Sequence, residues 1–138
     1  MNLYWRFLNL NDYELLSEWG EFWRFPLPPV DFLPQSDGLF NGFMICDDEG
    51  LELCAGFVYE TNSKVCWMEY IISNPNMRNK DLRTKSISLL IHFLCESSKQ
   101  KGYKYMFTTV KNKNLINRYS DNGFSIGTKG TTEMIKIL

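Results

Sequence analysis

The middle of the sequence places an apolar strand-like segment, a short basic turn and a long helical segment in direct succession. Val65–Ser73 has the composition of a strand, and Arg83–Lys101 carries apolar residues at helical spacing. The segment between them, 74–83, reads Asn-Pro-Asn-Met-Arg-Asn-Lys-Asp-Leu-Arg. In such an arrangement the amides of the turn and of the first helical turn converge, and the helix dipole adds to them, which predicts an anion site. The alternative interpretation is a solvated basic turn that only caps the helix.

The N-terminal third predicts a strand, a helix and an irregular loop. Leu3–Leu8 reads as a first strand, and Asn11–Asp12 offers an N-cap to a helix that we expect to end at Gly20. Four prolines within nine residues exclude a regular helix or central strand from the segment Glu21–Gly38. This loop is rich in aromatic residues, so it either packs over the core or lines a pocket for an apolar ligand.

Three strands in succession precede the basic turn. Phe43–Cys46, Leu51–Tyr59 and Val65–Ser73 are separated by short polar turns, which predicts an antiparallel meander. Gly56 within the second of these strands predicts a bulge or a close approach of backbone.

The elements after the long helix complete the expected fold. Lys104–Val110 reads as a strand, Lys113–Asn122 as a short helix, and Phe124–Gly127 with Glu133–Leu138 as a final hairpin. A crossover helix between two strands predicts that they run parallel. The sequence therefore predicts one α/β (α+β) domain over residues 1–138, with a mixed, mostly antiparallel sheet of six to seven strands flanked by helices.

Composition narrows the class of protein. A net charge of −1 argues against a protein that coats nucleic acid. The four cysteines lie in apolar runs without Cys-x-x-Cys spacing, which predicts buried reduced thiols and no metal site. Neither a signal peptide nor a run approaching the roughly 20 apolar residues of a membrane span is present, so we expect a cytoplasmic protein that does not engage a membrane.

The turn and a downstream segment together resemble the GCN5-related N-acetyltransferase (GNAT) superfamily. The family's central motif reads hydrophobic-x-x-Pro-x-x-Arg/Gln-x-x-Gly-x-Gly/Ala before a helix. The turn matches it at Pro75, Arg78, Lys80 and Leu82 and departs from it at Asp81 and Arg83, where the family usually has glycines. Downstream, the spacing from Asn112 through Tyr119 to Gly123-Phe124 is that of the family, and the resemblance covers roughly 51–138.

The resemblance implies a cosubstrate, acetyl-CoA, and residues that bind it. The pyrophosphate would lie on the turn, with Lys85 adding charge; the implied residues are Arg78, Asn79, Lys80, Asp81, Leu82, Arg83 and Thr84. The pantetheine would pair like an added strand with unpaired amides near Ile71, Ile72 and Ser73. Asn112 would contact the cofactor, or cap the helix that follows it, or do both. Asp81 brings a negative charge to a phosphate site, and could instead cap the long helix.

The resemblance also implies catalytic roles. Tyr119 would protonate the departing thiolate, its alternative being a core tyrosine. Glu69, inside an apolar strand, is the candidate base, although it could equally face solvent; Glu52 and Glu60 are alternatives. His92 on the long helix reads as a structural histidine.

The predicted function is transfer of an acetyl or short acyl group from acyl-CoA to a primary amine by direct attack. The acceptor, a small molecule or a protein, would meet a pocket lined by Trp19, Phe22, Trp23 and Phe25. The glycine-free turn keeps an alternative open, a GNAT-fold binding module without catalysis. A third reading, nucleic-acid binding by the basic turn, is not supported by the net charge. The resemblance leaves a homodimer open, because members of the family often dimerise.

Overall fold

Six strands form one mixed sheet in the computed structural model, which describes residues 2–138. In chain order the strands are β1 (Leu3–Asn9), β2 (Gln35–Ser36), β3 (Leu39–Asp47), β4 (Glu52–Tyr59), β5 (Val65–Ser73) and β6 (Tyr105–Thr108). The helices are α1 (Tyr13–Trp23), α2 (Lys80–Gln100) and α3 (Lys113–Asp121). The sheet order is β1-β3-β4-β5-β6, and the short β2 pairs with β3. In the described part of the chain, no helix is long and apolar enough to cross a bilayer.

The central meander is confirmed, and so is the parallel pairing that follows it. β3, β4 and β5 pair antiparallel, whereas β6 runs parallel to β5 after the crossover through α2. The bulge predicted at Gly56 is present, because the register shifts between Ala55 and Phe57 opposite β5. Gly56 also lies close to α2, since a Cβ there would lie 3.1 Å from Leu94 Cδ1 of that helix and 2.4 Å from Ile71 Cδ1 of β5. The extra residue of the bulge lies on β5, where Tyr70 adopts a positive φ of 56°.

Two apolar clusters lie on opposite faces of the sheet. On one face α2 buries Ile87, Leu90, Ile91 and Leu94 against β3, β4 and β5. On the other face α1 and the proline-rich loop cover Leu8, Phe40 and Phe57, with Leu16 and Trp19 contributed by α1 and Leu33 by the loop. The four cysteines are unpaired thiols, and three of them are buried, as the sequence predicts.

Asp12 is the N-cap residue of α1, one of the two residues expected there, but its side chain makes no capping bond to that helix. Asn9 caps the preceding 3₁₀ turn (Leu10–Asp12) and forms a capping box with Asp12, whose carboxylate accepts from the Asn9 amide at 2.9 Å. The same carboxylate accepts two hydrogen bonds of 2.9 Å from Arg6 of β1. Burial raises the pKa of Asp12, but the bonds from Arg6 and Asn9 outweigh it, so the pKa is lowered overall.

The predicted end of α1 at Gly20 is wrong, because the helix continues to Trp23 and ends on Arg24 in the left-handed region, φ 57°. Gly20 is required for another reason. The loop folds back over the helix there, and a Cβ on Gly20 would lie 2.7 Å from the Phe25 carbonyl oxygen. The glycine therefore marks a close backbone crossing inside the helix rather than its end.

The predicted final hairpin is also wrong. Within the described chain no strand follows β6, and residues 124–138 form no regular element. The apolar side chains that a hairpin would bury, such as Met134 and Ile137, are almost fully exposed. The alternating pattern fits a strand, but the tail packs against no partner that would bury one of its faces.

Candidate functional site

The turn between β5 and α2 is held by its own polar groups. The buried Asn74 donates from its amide Nδ2 to the Glu52 carbonyl of β4 at 2.8 Å, and its Oδ1 accepts from the Asn76 amide at 2.9 Å. Met77 is buried beneath the turn. Asn79 is the N-cap of α2, its Oδ1 accepting from the Leu82 amide at 3.1 Å. The turn is therefore a fixed loop leading into a capped helix.

The capping pattern defines which amides of the turn could meet an anion. Asn79 occupies the Leu82 amide through its side chain and the Arg83 amide through its carbonyl oxygen, so these two are not available as predicted. The amides of Arg78 through Asp81 find no acceptor among residues 2–138 and lie at the positive end of the α2 dipole. The cap predicted for Asp81 is wrong, because Asn79 already fills that position; Asp81 is an exposed residue of the first turn.

Arg83 does not present its charge to solvent at the turn. Its guanidinium donates to the Met77 carbonyl and lies 5.7 Å from the ring centroid of Trp23. Its Nε is buried without a partner in the described chain. Arg78, Lys80, Thr84 and Lys85 are exposed. The cationic groups that face solvent at the turn are therefore Arg78, Lys80 and Lys85, and Arg83 instead joins the turn to the end of α1.

β5 and β6 separate beyond Met68. Their parallel register ends at Met68 opposite Thr108, so Glu69–Ser73 have no strand neighbour on that side. The backbone N–H of Asn74 donates to the Leu53 carbonyl of β4. Because the backbone N–H and C=O groups of successive residues point to alternate sides of a strand, those of Ser73 face the opening. Ile72, paired with Ala55, is directed towards β4, and its amide is not one of the free groups that we expected. The opening thus offers backbone groups of Ser73, but not of Ile72.

Trp23 already uses one of these groups. Its indole Nε1–H donates to the Ser73 carbonyl oxygen at 2.8 Å. The end of α1 is thereby tied to the open edge of β5, at the position where the sequence predicts pantetheine binding.

Glu69 lies at the mouth of this opening. It is paired with Phe57 and so faces the α1 side of the sheet, partly buried, where it accepts from the Thr109 hydroxyl at 3.3 Å. Burial raises the pKa of Glu69, the Thr109 bond lowers it, and the nearby charge of Glu133 raises it further; the net direction is upward. The alternatives are engaged elsewhere, since Glu52 lies 3.7 Å from Arg6 and Glu60 lies 2.6 Å from Lys101.

Tyr119 lies on the other side of the opening, buried in the α2-side cluster. It belongs to α3, which Asn112 caps by accepting from the Asn114 amide at 2.8 Å, and its ring packs 5.6 Å from that of Phe124. Burial and the charge of Glu69 raise the pKa of Tyr119 to about 12, while a hydrogen bond with Thr108 lowers it. The core tyrosine and the N-cap that the sequence allowed are both present, and each is compatible with a role at the opening.

The predicted acceptor pocket is only partly assembled. Trp19 is a core residue, 3% exposed, and the expectation that it lines a pocket is wrong. Phe22, Trp23 and Phe25 are exposed beside the end of β5. Sequence reasoning missed two further rings, Tyr59 and Tyr70, because the bulge moves Tyr70 off the alternation that periodicity assumes.

His92 lies away from the opening. It is exposed on α2, next to Phe93, and is not the satisfied structural histidine that the sequence suggested. Nothing in its position connects it to the chemistry of Glu69 or Tyr119.

Comparisons with known proteins identify the fold. No family model and no curated protein matches the sequence. Among solved structures, the ribosomal-protein-S18-alanine N-acetyltransferase from Escherichia coli is similar with a TM-score of 0.73 at 15% identity, over 92% of this chain and 80% of that one. An acetyltransferase from Trypanosoma brucei is similar with a TM-score of 0.65 at 17% identity, over 97% of this chain and 100% of that one.

A third similar structure contains a cofactor analogue. It is AAC(6')-Iy in complex with the bisubstrate analogue CoA-S-monomethyl-acetylneamine, with a TM-score of 0.64 at 17% identity over 99% of this chain and 100% of that one. The chain thus has the fold of GNAT-type acetyltransferases, as its motifs predicted.

Proposed function

We propose that this chain is an acetyl-CoA-dependent N-acetyltransferase that moves an acetyl group directly to a primary amine. The observation that carries the proposal is the pair Glu69 and Tyr119, which lies at the opening between β5 and β6 in a fold shared with acetyltransferases. The four free amides of the turn, Arg78–Asp81, would hold the pyrophosphate with Arg78 and Lys80. In keeping with its free thiols, we assign the enzyme to the cytoplasm.

The proposed reaction has one bond formed and one broken. The amine nitrogen attacks the thioester carbonyl carbon, the C–N bond forms, and the C–S bond breaks to release CoA. Glu69 takes the proton that the ammonium loses, and its raised pKa makes it a better base than an exposed carboxylate. Ser73 and the open edge of β5 would align the pantetheine between the two side chains.

We assign Tyr119 the role of hydrogen-bond donor to the sulfur of the departing CoA. With a pKa of about 12 it is protonated at neutral pH, whereas a thiol has a pKa of about 8.5. A phenol so weakly acidic stabilises the developing thiolate mainly by donating a hydrogen bond, and full proton transfer to the free thiolate is uphill. The raised pKa therefore favours a donor that remains protonated throughout the reaction.

Two measurements test the proposal. Calorimetric titration with acetyl-CoA should show binding, and release of free thiol in the presence of amines should show transfer. Tyr119→Phe should lower kcat by about 10²-fold or more and change acetyl-CoA affinity little, because the hydrogen bond acts on the transition state. Tyr105→Phe, which removes a hydroxyl from an exposed ring of β6, is the matched control. Absence of binding at millimolar acetyl-CoA would contradict the proposal.

One observation favours a second candidate, a binding module without catalysis. Trp23 occupies the Ser73 carbonyl and Arg83 is folded onto the same indole, so the predicted pantetheine edge is partly filled by the chain itself. Trp23→Phe removes that hydrogen bond and keeps a ring in place. If the wild type fails to bind acetyl-CoA and Trp23→Phe fails as well, the binding module becomes the better assignment.

A further inference from the structure

Three aromatic rings meet on the α1 face of the sheet beside Glu69. Tyr70 lies at the centre, with ring centroids 6.4 Å from Phe25 and 6.5 Å from Tyr59. We call Phe25, Tyr59 and Tyr70 the aromatic rim. Phe25 is 50% exposed, and both tyrosines are only partly buried, so each ring keeps surface for a ligand.

The rim is fixed by the fold around it. Tyr70 adopts φ of 56° at the bulge and packs 6.3 Å from the buried ring of Phe57, on the face that Glu69 also shares. Tyr59 donates its hydroxyl to the Phe32 carbonyl at 2.7 Å. Phe25 is placed where the backbone crosses Gly20, through a 2.9 Å bond from its amide to the Gly20 carbonyl. Two tyrosines are thus set in position before any ligand arrives, which lowers the entropic cost of binding.

Carboxylates supply the charge beside the rim: Glu69, and Glu133 of the tail, whose charge raises the pKa of both Glu69 and Tyr70. Glu69 raises the pKa of both Tyr59 and Tyr70, after the larger effect of burial, so its charge lies within reach of both hydroxyls. Its hydrogen-bond partner Thr109 is neutral, which leaves the carboxylate able to receive a cation. A carboxylate bordered by ring faces and hydroxyls is suited to one ammonium group, through charge and cation–π attraction.

We propose that the acceptor is a primary amine carried on an aromatic or large apolar body. The inference rests on the proposed function and names the substrate class for the same site. The ammonium would lie against Glu69 and the body against the rim. A polyamine such as spermidine fits poorly, because it has no ring or large apolar body to cover the rim. A free arylalkylamine and the α-amino group of a peptide that begins with an aromatic residue share this chemistry.

The first experiment compares acceptors at one acetyl-CoA concentration. The probes are 2-phenylethylamine, n-butylamine, spermidine, and a phenylalanine-initiated tetrapeptide with its alanine-initiated counterpart. We expect kcat/KM for 2-phenylethylamine to exceed that for n-butylamine and spermidine by about tenfold, the size of effect that one buried ring supplies. If the phenylalanine peptide exceeds 2-phenylethylamine, the source is a chain terminus; the reverse order indicates a free amine. Equal or greater kcat/KM for spermidine would overturn the inference.

A pair of variants tests the rim itself. Phe25→Ala should raise KM for 2-phenylethylamine about tenfold and leave the KM of acetyl-CoA as it is, since Phe25 contacts only the acceptor side. Phe7→Ala removes a ring of similar exposure, 55%, from β1 on the opposite face of the sheet and should change neither value. An unchanged KM for 2-phenylethylamine in Phe25→Ala would contradict the proposal.

Direct binding separates this inference from the proposed function. 2-Phenylethylamine is titrated calorimetrically into the protein with CoA present, and spermidine is titrated in parallel. Binding of 2-phenylethylamine without any transfer supports the inference and ends the transferase assignment. Transfer to spermidine without binding of 2-phenylethylamine supports the transferase assignment and overturns the inference. A protein that neither binds nor acetylates any of the amines overturns the inference and the transferase assignment together.

Discussion

On one face of the sheet, α2 runs across β3, β4 and β5, and its apolar side chains are buried along its length. On the other face, α1 and the proline-rich loop cover the centre but leave the rings beside β5 half exposed. Both faces carry aliphatic and aromatic side chains, but the elements that cover them differ. On one face a single helix covers β3, β4 and β5, although Phe7 of β1 stays exposed beside it. On the other face a loop that folds back at Gly20 leaves an aromatic surface open next to Glu69. We therefore expect the α2 face to contribute more to stability and the open surface beside Glu69 to meet the acceptor.

The largest effect should come from the closed face. Leu90 of α2 is fully buried, so Leu90→Ala should lower the free energy of unfolding by about 2–5 kcal/mol, because a cavity remains in close-packed surroundings. The matched control is Leu51→Ala at the turn before β4, where the side chain is 49% exposed and the cost should be small. Urea denaturation measures both. A similar loss in the two variants would remove the contrast between buried and open positions.

A smaller loss should follow from tightening the crossing on the open face. Gly20→Ala would place a Cβ 2.7 Å from the Phe25 carbonyl oxygen, and backbone atoms cannot rotate away as a side chain does. We expect thermal denaturation to show a loss of about 1–3 kcal/mol. Gly127→Ala is the control, because nothing lies within 4 Å of a Cβ there. A harmless Gly20→Ala would mean that the loop is not held closely on α1.

The smallest expected effect is a gain in stability rather than a loss. Burial raises the pKa of Glu69 in the folded protein, so its charged form destabilises the fold. That loss begins as pH rises through the unfolded pKa and is complete above the folded pKa. Glu69→Gln should therefore increase stability at pH 7 by about 0.5–1 kcal/mol. The gain should vanish at about pH 3, below the unfolded pKa of glutamate, where the carboxyl is neutral in the folded and the unfolded chain alike. Thermal denaturation at the two pH values measures it, with acetyl transfer lost in the same variant. A less stable Glu69→Gln at pH 7 would show that the carboxylate is a structural group.

The sequence predicted the sheet's centre because local signals and tertiary packing agree there. The three meander strands, the turn and the crossover to β6 all have apolar runs bounded by polar turns, and each run finds a partner. The tail 124–138 has the same local signals, yet its pairing depends on distant contacts that periodicity does not encode. The prediction that α1 ends at Gly20 failed because glycine is favoured both at a helix end and where two backbone segments cross closely, and the sequence alone does not distinguish these two cases.

The site was predictable in part. Glu69 stood out as a carboxylate inside an apolar strand, and Tyr119 through the family's spacing from Asn112 to Phe124. The structure brings both to the opening beyond Met68. The orientation of Arg83 was not predictable, because it depends on Trp23, which is 60 residues earlier in the chain but adjacent in space. Tyr70 was missed because one residue with positive φ reverses the face on which the following side chains lie.

The exposed tail has a consequence for how this protein behaves at high concentration. β6 pairs with β5 on one side only within residues 2–138, and the aromatic side chains of Tyr105 and Phe107 are exposed along it. The segment Met134–Leu138 combines four apolar residues, two of them isoleucines of high β-propensity, with one charged side chain, Lys136. Exposed segments of this kind pair with one another between molecules to form sheets, and a charge within such a run opposes that aggregation. We therefore expect Lys136 to contribute more to keeping the protein dispersed than to its folded stability.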